Sequence, residues 1–182
     1  IGTNAFVGTK TSSVRLPNLE YIGTSAFANC SNLTSAEFSN SITQIPNDCF
    51  QNSGLTSFVV PQYLTTIGSS AFNSTKITKL YLPATLTEIG ASAFANCANL
   101  TSVEGLSNTK ITEIQTQTFD KCSNLYRVYL PSTVKTIGFW AFNNCSRLTN
   151  LTFGSSLEDI VMYAFFGCAS LSNIEFPATL KS

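Results

Sequence analysis

Histidine is absent from all 182 residues of the chain, and methionine and tryptophan occur once each. Without histidine the commonest general base and metal-ligating nitrogen are missing, and nucleophilic triads built on an imidazole are excluded. Charge is sparse as well: charged residues make up 11% of the chain, and ten Lys and Arg balance ten Asp and Glu with no run of either sign. No electrostatic footprint for nucleic acid or for an anionic membrane surface results. No stretch approaches the roughly 18 apolar residues of a spanning helix, so direct membrane insertion is not expected. A charged and hydrophobic leader is missing from the amino terminus. There is no phosphate loop, no Gly-x-Gly-x-x-Gly phrase and no Cys-x-x-Cys pair, so no nucleotide cofactor and no zinc site is expected.

What the chain has is one phrase written about eight times, roughly Leu-x-x-Ile-Gly-x-x-Ala-Phe-x-x-Cys-x-x-Leu-x-x-Leu-x-Leu-Pro. Its phenylalanine falls at Phe6, Phe27, Phe50, Phe72, Phe94, Phe119, Phe142 and Phe165, at intervals of 21, 23, 22, 22, 25, 23 and 23 residues. A period in the low twenties is that of a leucine-rich solenoid, whose single coils cannot bury their apolar face alone. Five residues before each phenylalanine stands an isoleucine: Ile1, Ile22, Ile45, Ile67, Ile89, Ile114, Ile137 and Ile160. A small residue precedes most of the phenylalanines (Ala5, Ala26, Ala71, Ala93, Ala141, Ala164), with Cys49 and Thr118 in its place twice. Columns of this kind are expected where equivalent positions of stacked coils share one elongated core.

After the phenylalanine, the spacing Leu-x-x-Leu-x-Leu ends in an alternation of apolar and polar residues, as in Leu125, Val128, Leu130 and Leu171, Ile174, Phe176. That is the period of a half-buried strand, and one strand per coil predicts a parallel sheet. Pro17, Pro61, Pro83, Pro131 and Pro177 terminate strands where a missing donor is tolerated. Gly2, Gly23, Gly68, Gly90 and Gly138 follow the isoleucine, while Pro46, Gln115 and Val161 depart from that rule. A short helical turn is predicted from the glycine to the phenylalanine, as in Thr24-Ser25-Ala26-Phe27-Ala28.

Five of the six cysteines (Cys30, Cys97, Cys122, Cys145, Cys168) sit three residues after the phenylalanine, and there the next Leu follows the phenylalanine by six; with Ser53 or Thr75 instead, a Leu or Ile follows by five. Cysteine thus marks a loop length. Side chains in one column point the same way from coils about 4.8 Å apart, whereas a disulfide wants Cβ atoms at about 3.8 Å leaning together. Buried free thiols acting as small hydrophobes are expected.

The phrases Leu86-Thr87-Glu88-Ile89-Gly90-Ala91-Ser92-Ala93-Phe94-Ala95-Asn96-Cys97 and Val134-Lys135-Thr136-Ile137-Gly138-Phe139-Trp140-Ala141-Phe142-Asn143-Asn144-Cys145 closely resemble the BspA-like, or Treponema pallidum-type, leucine-rich repeats. The resemblance covers essentially the whole chain. It implies a cell-surface or secreted protein of bacteria or parasitic protists, of a family linked to adhesion and host matrix proteins, and it implies no particular ligand.

The expected fold is therefore an α/β-type leucine-rich repeat solenoid, right-handed by the crossover rule, of about eight coils with a parallel sheet along one face. Residues 1–182 read as a single domain, and because they start at Ile1 inside one coil and stop after Leu180 inside another, as a fragment of a longer array. The expected function is non-catalytic: a monomeric surface module for adhesion or protein interaction, binding a host matrix protein, a surface protein or a glycan. Alternatives are a spacer holding another domain off the cell surface, an intracellular scaffold, or part of a polysaccharide-acting enzyme whose catalytic part lies elsewhere. Within this chain Glu37, Glu104 and Glu175 are spaced three coils apart, about 14 Å by strand spacing, against the roughly 5 to 9.5 Å of a glycosidase pair.

The outward strand positions are the expected contact surface. One row reads Arg15, Glu37, Val59, Tyr81, Glu104, Tyr129, Thr152, Glu175; the row before it reads Ser13, Ser35, Ser57, Lys79, Ser102, Arg127, Asn150, Asn173. Tyrosine and arginine anchor interfaces, which makes Val59, Lys79, Tyr81, Arg127 and Tyr129 the candidate partner-binding residues. Phe139 and Trp140 replace polar residues in the turn of their coil and mark either a second contact or packing on the next coil. Six Asn-x-Ser/Thr triplets, at Asn29, Asn32, Asn73, Asn99, Asn144 and Asn150, are glycan acceptors in a eukaryotic secretory setting and otherwise a by-product of the repeat.

Overall fold

A computed structural model of the chain describes residues 1–181. One row of strands is formed by β1 (Ser13–Leu16), β2 (Ser35–Phe38), β4 (Ser57–Val59), β6 (Lys79–Tyr81), β8 (Ser102–Glu104), β10 (Arg127–Tyr129) and β12 (Asn150–Thr152). All pairs are parallel and in coil-to-coil register, so that Val128 lies beside Leu151, and Leu80 beside Val103. A second row, of two-residue strands, is formed by β3 (Gln44–Ile45), β5 (Thr66–Ile67), β7 (Glu88–Ile89), β9 (Glu113–Ile114), β11 (Thr136–Ile137) and β13 (Asp159–Ile160). Here the isoleucine column pairs with itself, Ile45 beside Ile67 beside Ile89. This second row was too short to show an alternation in the sequence.

The third side of each coil corrects the predicted helical turn. Two residues before each phenylalanine φ lies between 53° and 61°, and two residues after each a second positive φ occurs, as at Asn29, Asn96 and Asn144. A helix needs φ near −63°, so the segment is instead a run of tight turns with the positive φ at the third residue, as type II turns require. Ala26 donates its N–H to Gly23 O within the turn, whereas Ser25, Phe27 and Asn29 donate theirs to Asn47, Cys49 and Gln51 of the following coil. Every other amide therefore points along the rod, adding a third ladder between coils. Among the described residues the only helical element is a 3-10 turn, Leu106–Asn108. The architecture is a parallel β-solenoid of about seven turns, without the helical layer of an α/β fold: the eighth strand, expected before Pro177, is not formed.

The 25-residue interval between Phe94 and Phe119 leaves its mark where the extra residues are placed. The 3-10 turn fills the space, Leu106 is buried within it, and the second strand row is interrupted between β7 and β9. Gly105 opens this turn at φ 78°, and a Cβ there would come 2.3 Å from Leu82 O, so the backbone crosses its neighbour where no side chain fits. The glycine column has a similar reason without the special φ: a Cβ on Gly90 would lie 2.5 Å from Ser69 N of the coil before it.

The core is one continuous cluster from Ile22 to Ala164. Its axis is the phenylalanine column, in which all eight rings stack with neighbouring centroids 5.2–5.8 Å apart and planes within 23° of one another. The separation exceeds the roughly 4.8 Å between strands, which offsets each ring from the next, the arrangement aromatic quadrupoles prefer.

Beside the rings, the cysteines take a regular place. Cys30, Cys97, Cys122, Cys145 and Cys168 each donate Sγ–H to the carbonyl of the phenylalanine one coil earlier, at 2.9, 3.0, 3.1, 3.2 and 3.1 Å. All six cysteines are free; five are buried and Cys168 is half-buried. Burial pushes the Cys97 and Cys168 thiols up to about 11, and raises Cys49, Cys122 and Cys145 as well.

Two outcomes follow for the folded rod. Phe94→Ala, which removes a fully buried ring between Phe72 and Phe119, is expected to cost about 3–5 kcal/mol in urea denaturation; Phe6→Ala, with one ring neighbour and 38% exposure, should cost distinctly less. In a thiol-labelling time course at neutral pH, Cys168 reacts first and the other five react at the rate of unfolding. Raised thiol pKa values mean stability that is complete below about pH 9 and is lost as pH rises through the folded value of about 11 for Cys97. Cys97→Ala should flatten that alkaline loss in a melting series.

Candidate interaction site

The outward positions of the long strands are held by a sheet whose other face is the core, so their backbone is as rigid as the stack beneath. Val59, Tyr81 and Tyr129 are 60%, 68% and 47% exposed, and Lys79 is exposed beside them. The register places Tyr81 next to Glu104 and Lys79 next to Ser102, with Arg127 on the far side of Ser102. Four of the five candidate residues therefore flank one coil, that of β8, and Val59 extends the row toward the amino terminus.

Arg127 is not a free cation. Its guanidinium bonds Glu104 and lies 5.3 Å from the Tyr126 ring centroid, which fixes it against the surface. The Arg127 hydrogen bond holds the Glu104 carboxyl below its ordinary value of 4.5. Further along the same row Arg15 pairs with Glu37 at 3.2 Å. Ser102, read as outward-facing from the sequence, is buried: a short side chain between Lys79 and Arg127 is covered by its longer neighbours.

A second apolar site lies on the turn face. Trp140 and Tyr163 occupy the position that carries Asn4, Ser25, Asp48, Ser70, Ser92 and Gln117 in the other coils, and both keep its positive φ, 55° and 61°. Bulky side chains rarely adopt that conformation, at a cost on the order of 1–3 kcal/mol each. Phe139 stacks on Trp140 at 4.8 Å and meets the edge of Tyr163 at 6.0 Å; Tyr163 meets Phe166 at 5.8 Å. The packing of Phe139 on the next coil agrees with one of its two sequence readings. Tyr163 escaped the sequence reading, although the column of small polar residues that it breaks was visible.

Of the Asn-x-Ser/Thr triplets, Asn29, Asn32, Asn99, Asn144 and Asn150 are exposed and Asn73 is half-buried; Asn150 lies on the strand face. Among the described residues no three His, Cys, Asp or Glu side chains are grouped to hold a metal ion, and no helix is long and apolar enough to cross a membrane.

The BspA type leucine rich repeat region matches the chain in six copies, over residues 1–125 and 112–182. The structure superimposes on a leucine-rich repeat protein from Bacteroides ovatus with a TM-score of 0.92 and 28% identity, over 99% of this chain and 47% of that one. A Eubacterium ventriosum leucine-rich repeat protein matches at 0.71 and 19% identity, over 98% of this chain and 64% of that one. The T. pallidum leucine-rich repeat protein matches at 0.61 and 26%, over 95% and 71%. The chain spans about half the length of the Bacteroides ovatus protein. No curated protein matches it.

The Glu104–Arg127 pair gives a titration with a defined sign. Because the folded carboxyl sits below its ordinary value, the pair stabilises the surface above about pH 4.5 and the contribution is lost as pH falls through the lowered folded value. In an NMR titration Arg127→Gln should move the Glu104 midpoint back up toward 4.5.

Proposed function

Because the chain belongs to the BspA-type leucine-rich repeat family, we propose that it is a non-catalytic interaction module displayed at the cell surface, gripping a protein partner with its strand face. The observation that carries this reading is the row Val59, Tyr81, Tyr129: three apolar or aromatic side chains, each about half exposed or more, set on β4, β6 and β10 of the long-strand row above a solid core. Exposed side chains of these types on a surface that does not deform give contact area at little entropic cost. Lys79 and the clamped Arg127 supply the polar rim, and Glu104 between the two tyrosines holds Arg127 in position. Adhesion to a host matrix or surface protein is the function this arrangement fits best.

Display and contact are tested together. Brief protease treatment of intact source cells should release peptides of this chain, and recovery only after lysis would remove the surface reading. In solid-phase binding to a panel of host matrix proteins, Tyr81→Ala and Tyr129→Ala should each weaken capture about tenfold or more, as truncation of an interface anchor does. Equal capture by both variants and the parent would exclude this face.

A further inference from the structure

On the turn face, Lys121, Trp140, Asn143, Asn144, Tyr163 and Phe166 line an open groove of about 460 Å³, within the range of about 300–1,000 Å³ of small-molecule sites. We infer that this groove binds a saccharide carrying a carboxylate, with the sugar ring against Trp140 and Tyr163 and the carboxylate at the Lys121 ammonium. The lining is divided as a sugar ring is divided. Aromatic faces, which carry negative quadrupole charge, meet the polarised C–H face of a pyranose. The exposed side-chain amide of Asn144, a donor and an acceptor, meets its hydroxyl rim.

The amides are held in place from below. Buried Asn143 donates Nδ2–H to the buried carboxylate of Asp120 at 2.6 Å and accepts at Oδ1 from Asn144 Nδ2 at 3.2 Å. That chain orients Asn144 before any ligand arrives, which lowers the cost of binding. Gly167 makes the room: a Cβ there would lie 2.4 Å from Asn144 Oδ1. Lys121 is exposed and takes part in none of the ion pairs among the described residues. Asp120 does not line the groove, so the one charge presented to a ligand is positive. Packing on the next coil takes up Phe139 but leaves Trp140 half exposed, although the coil of Tyr163 is stacked beyond it. The position looks sideways from the rod.

Trp140 is the single tryptophan of the chain, so tryptophan emission, excited at the red edge where the six tyrosines do not absorb, reads this groove alone. The probes are sialyllactose and a hyaluronan tetrasaccharide, with lactose and maltotriose as neutral counterparts, each titrated to millimolar concentration. A saturable emission change is expected with at least one acidic sugar, about tenfold weaker with its neutral counterpart, and about tenfold weaker in Tyr163→Ser and in Lys121→Asn. Both substitutions install residues the same columns carry in other coils, Ser25 and Asn96 for instance, so the fold tolerates them; circular dichroism checks this. No saturable change with either acidic sugar overturns the proposal. So does an equal response to neutral sugars, an unaltered response in Tyr163→Ser, or an emission that follows protein concentration alone and marks a second copy in the groove.

Discussion

The rest of the structure depends on the stack of phenylalanine rings. A solenoid has no centre, and each coil is stable only through its two neighbours, so the interaction repeated between every pair of coils sets the geometry of all others. Ring stacking fixes the separation and orientation of successive coils at the core. The isoleucine column then pairs with itself on one side and the long strands pair on another. The cysteine thiols close against the carbonyls of the same phenylalanines one coil back. Cysteine suits that place because it is small, apolar and still a donor to a carbonyl that would otherwise share a single hydrogen bond.

Much of this was legible from the residues, and for a physical reason. A stacked column requires the same residue at the same phase in every coil, so repetition itself reports burial. The isoleucines, phenylalanines and cysteines were placed correctly because they repeat, and the long strands because their polar and apolar positions alternate. What was not legible is the backbone between Gly and Phe. Thr24-Ser25-Ala26-Phe27-Ala28 is compatible with a helical turn by composition, and nothing in a single coil says that its amides are to be spent on the next one. Only the neighbouring carbonyls, supplied by Asn47, Cys49 and Gln51, decide the case for turns. The two-residue strands were hidden for a similar reason, being too short to carry a period.

The candidate residues divide in the same way. Val59, Tyr81 and Tyr129 were placed outward by alternation and are exposed. Alternation gives direction without giving height, however, and so it missed that Ser102 lies beneath Lys79 and Arg127 and that Arg127 is committed to Glu104. Charge pairing across coils depends on which side chains stand in register 22 to 25 residues apart, and a repeat whose loops vary in length obscures that register until the strands are aligned.

The left-handed positions give the repeat a separate grammar for function. Two residues before each phenylalanine the backbone is held at positive φ by the turn on one side and the inter-coil ladder on the other. Asn, Ser, Asp and Gln occupy it in six coils, because short polar side chains tolerate that conformation best. The fold itself asks nothing more of this position, since its side chain points away from the core. A tryptophan and a tyrosine in two consecutive coils therefore oppose the local preference without contributing a core contact. Phe139 packs between them, yet that contact joins rings that the core does not need. In a chain so closely governed by its columns, residues that break a column at a strained position, side by side and facing solvent, are where selection for something other than folding is to be sought.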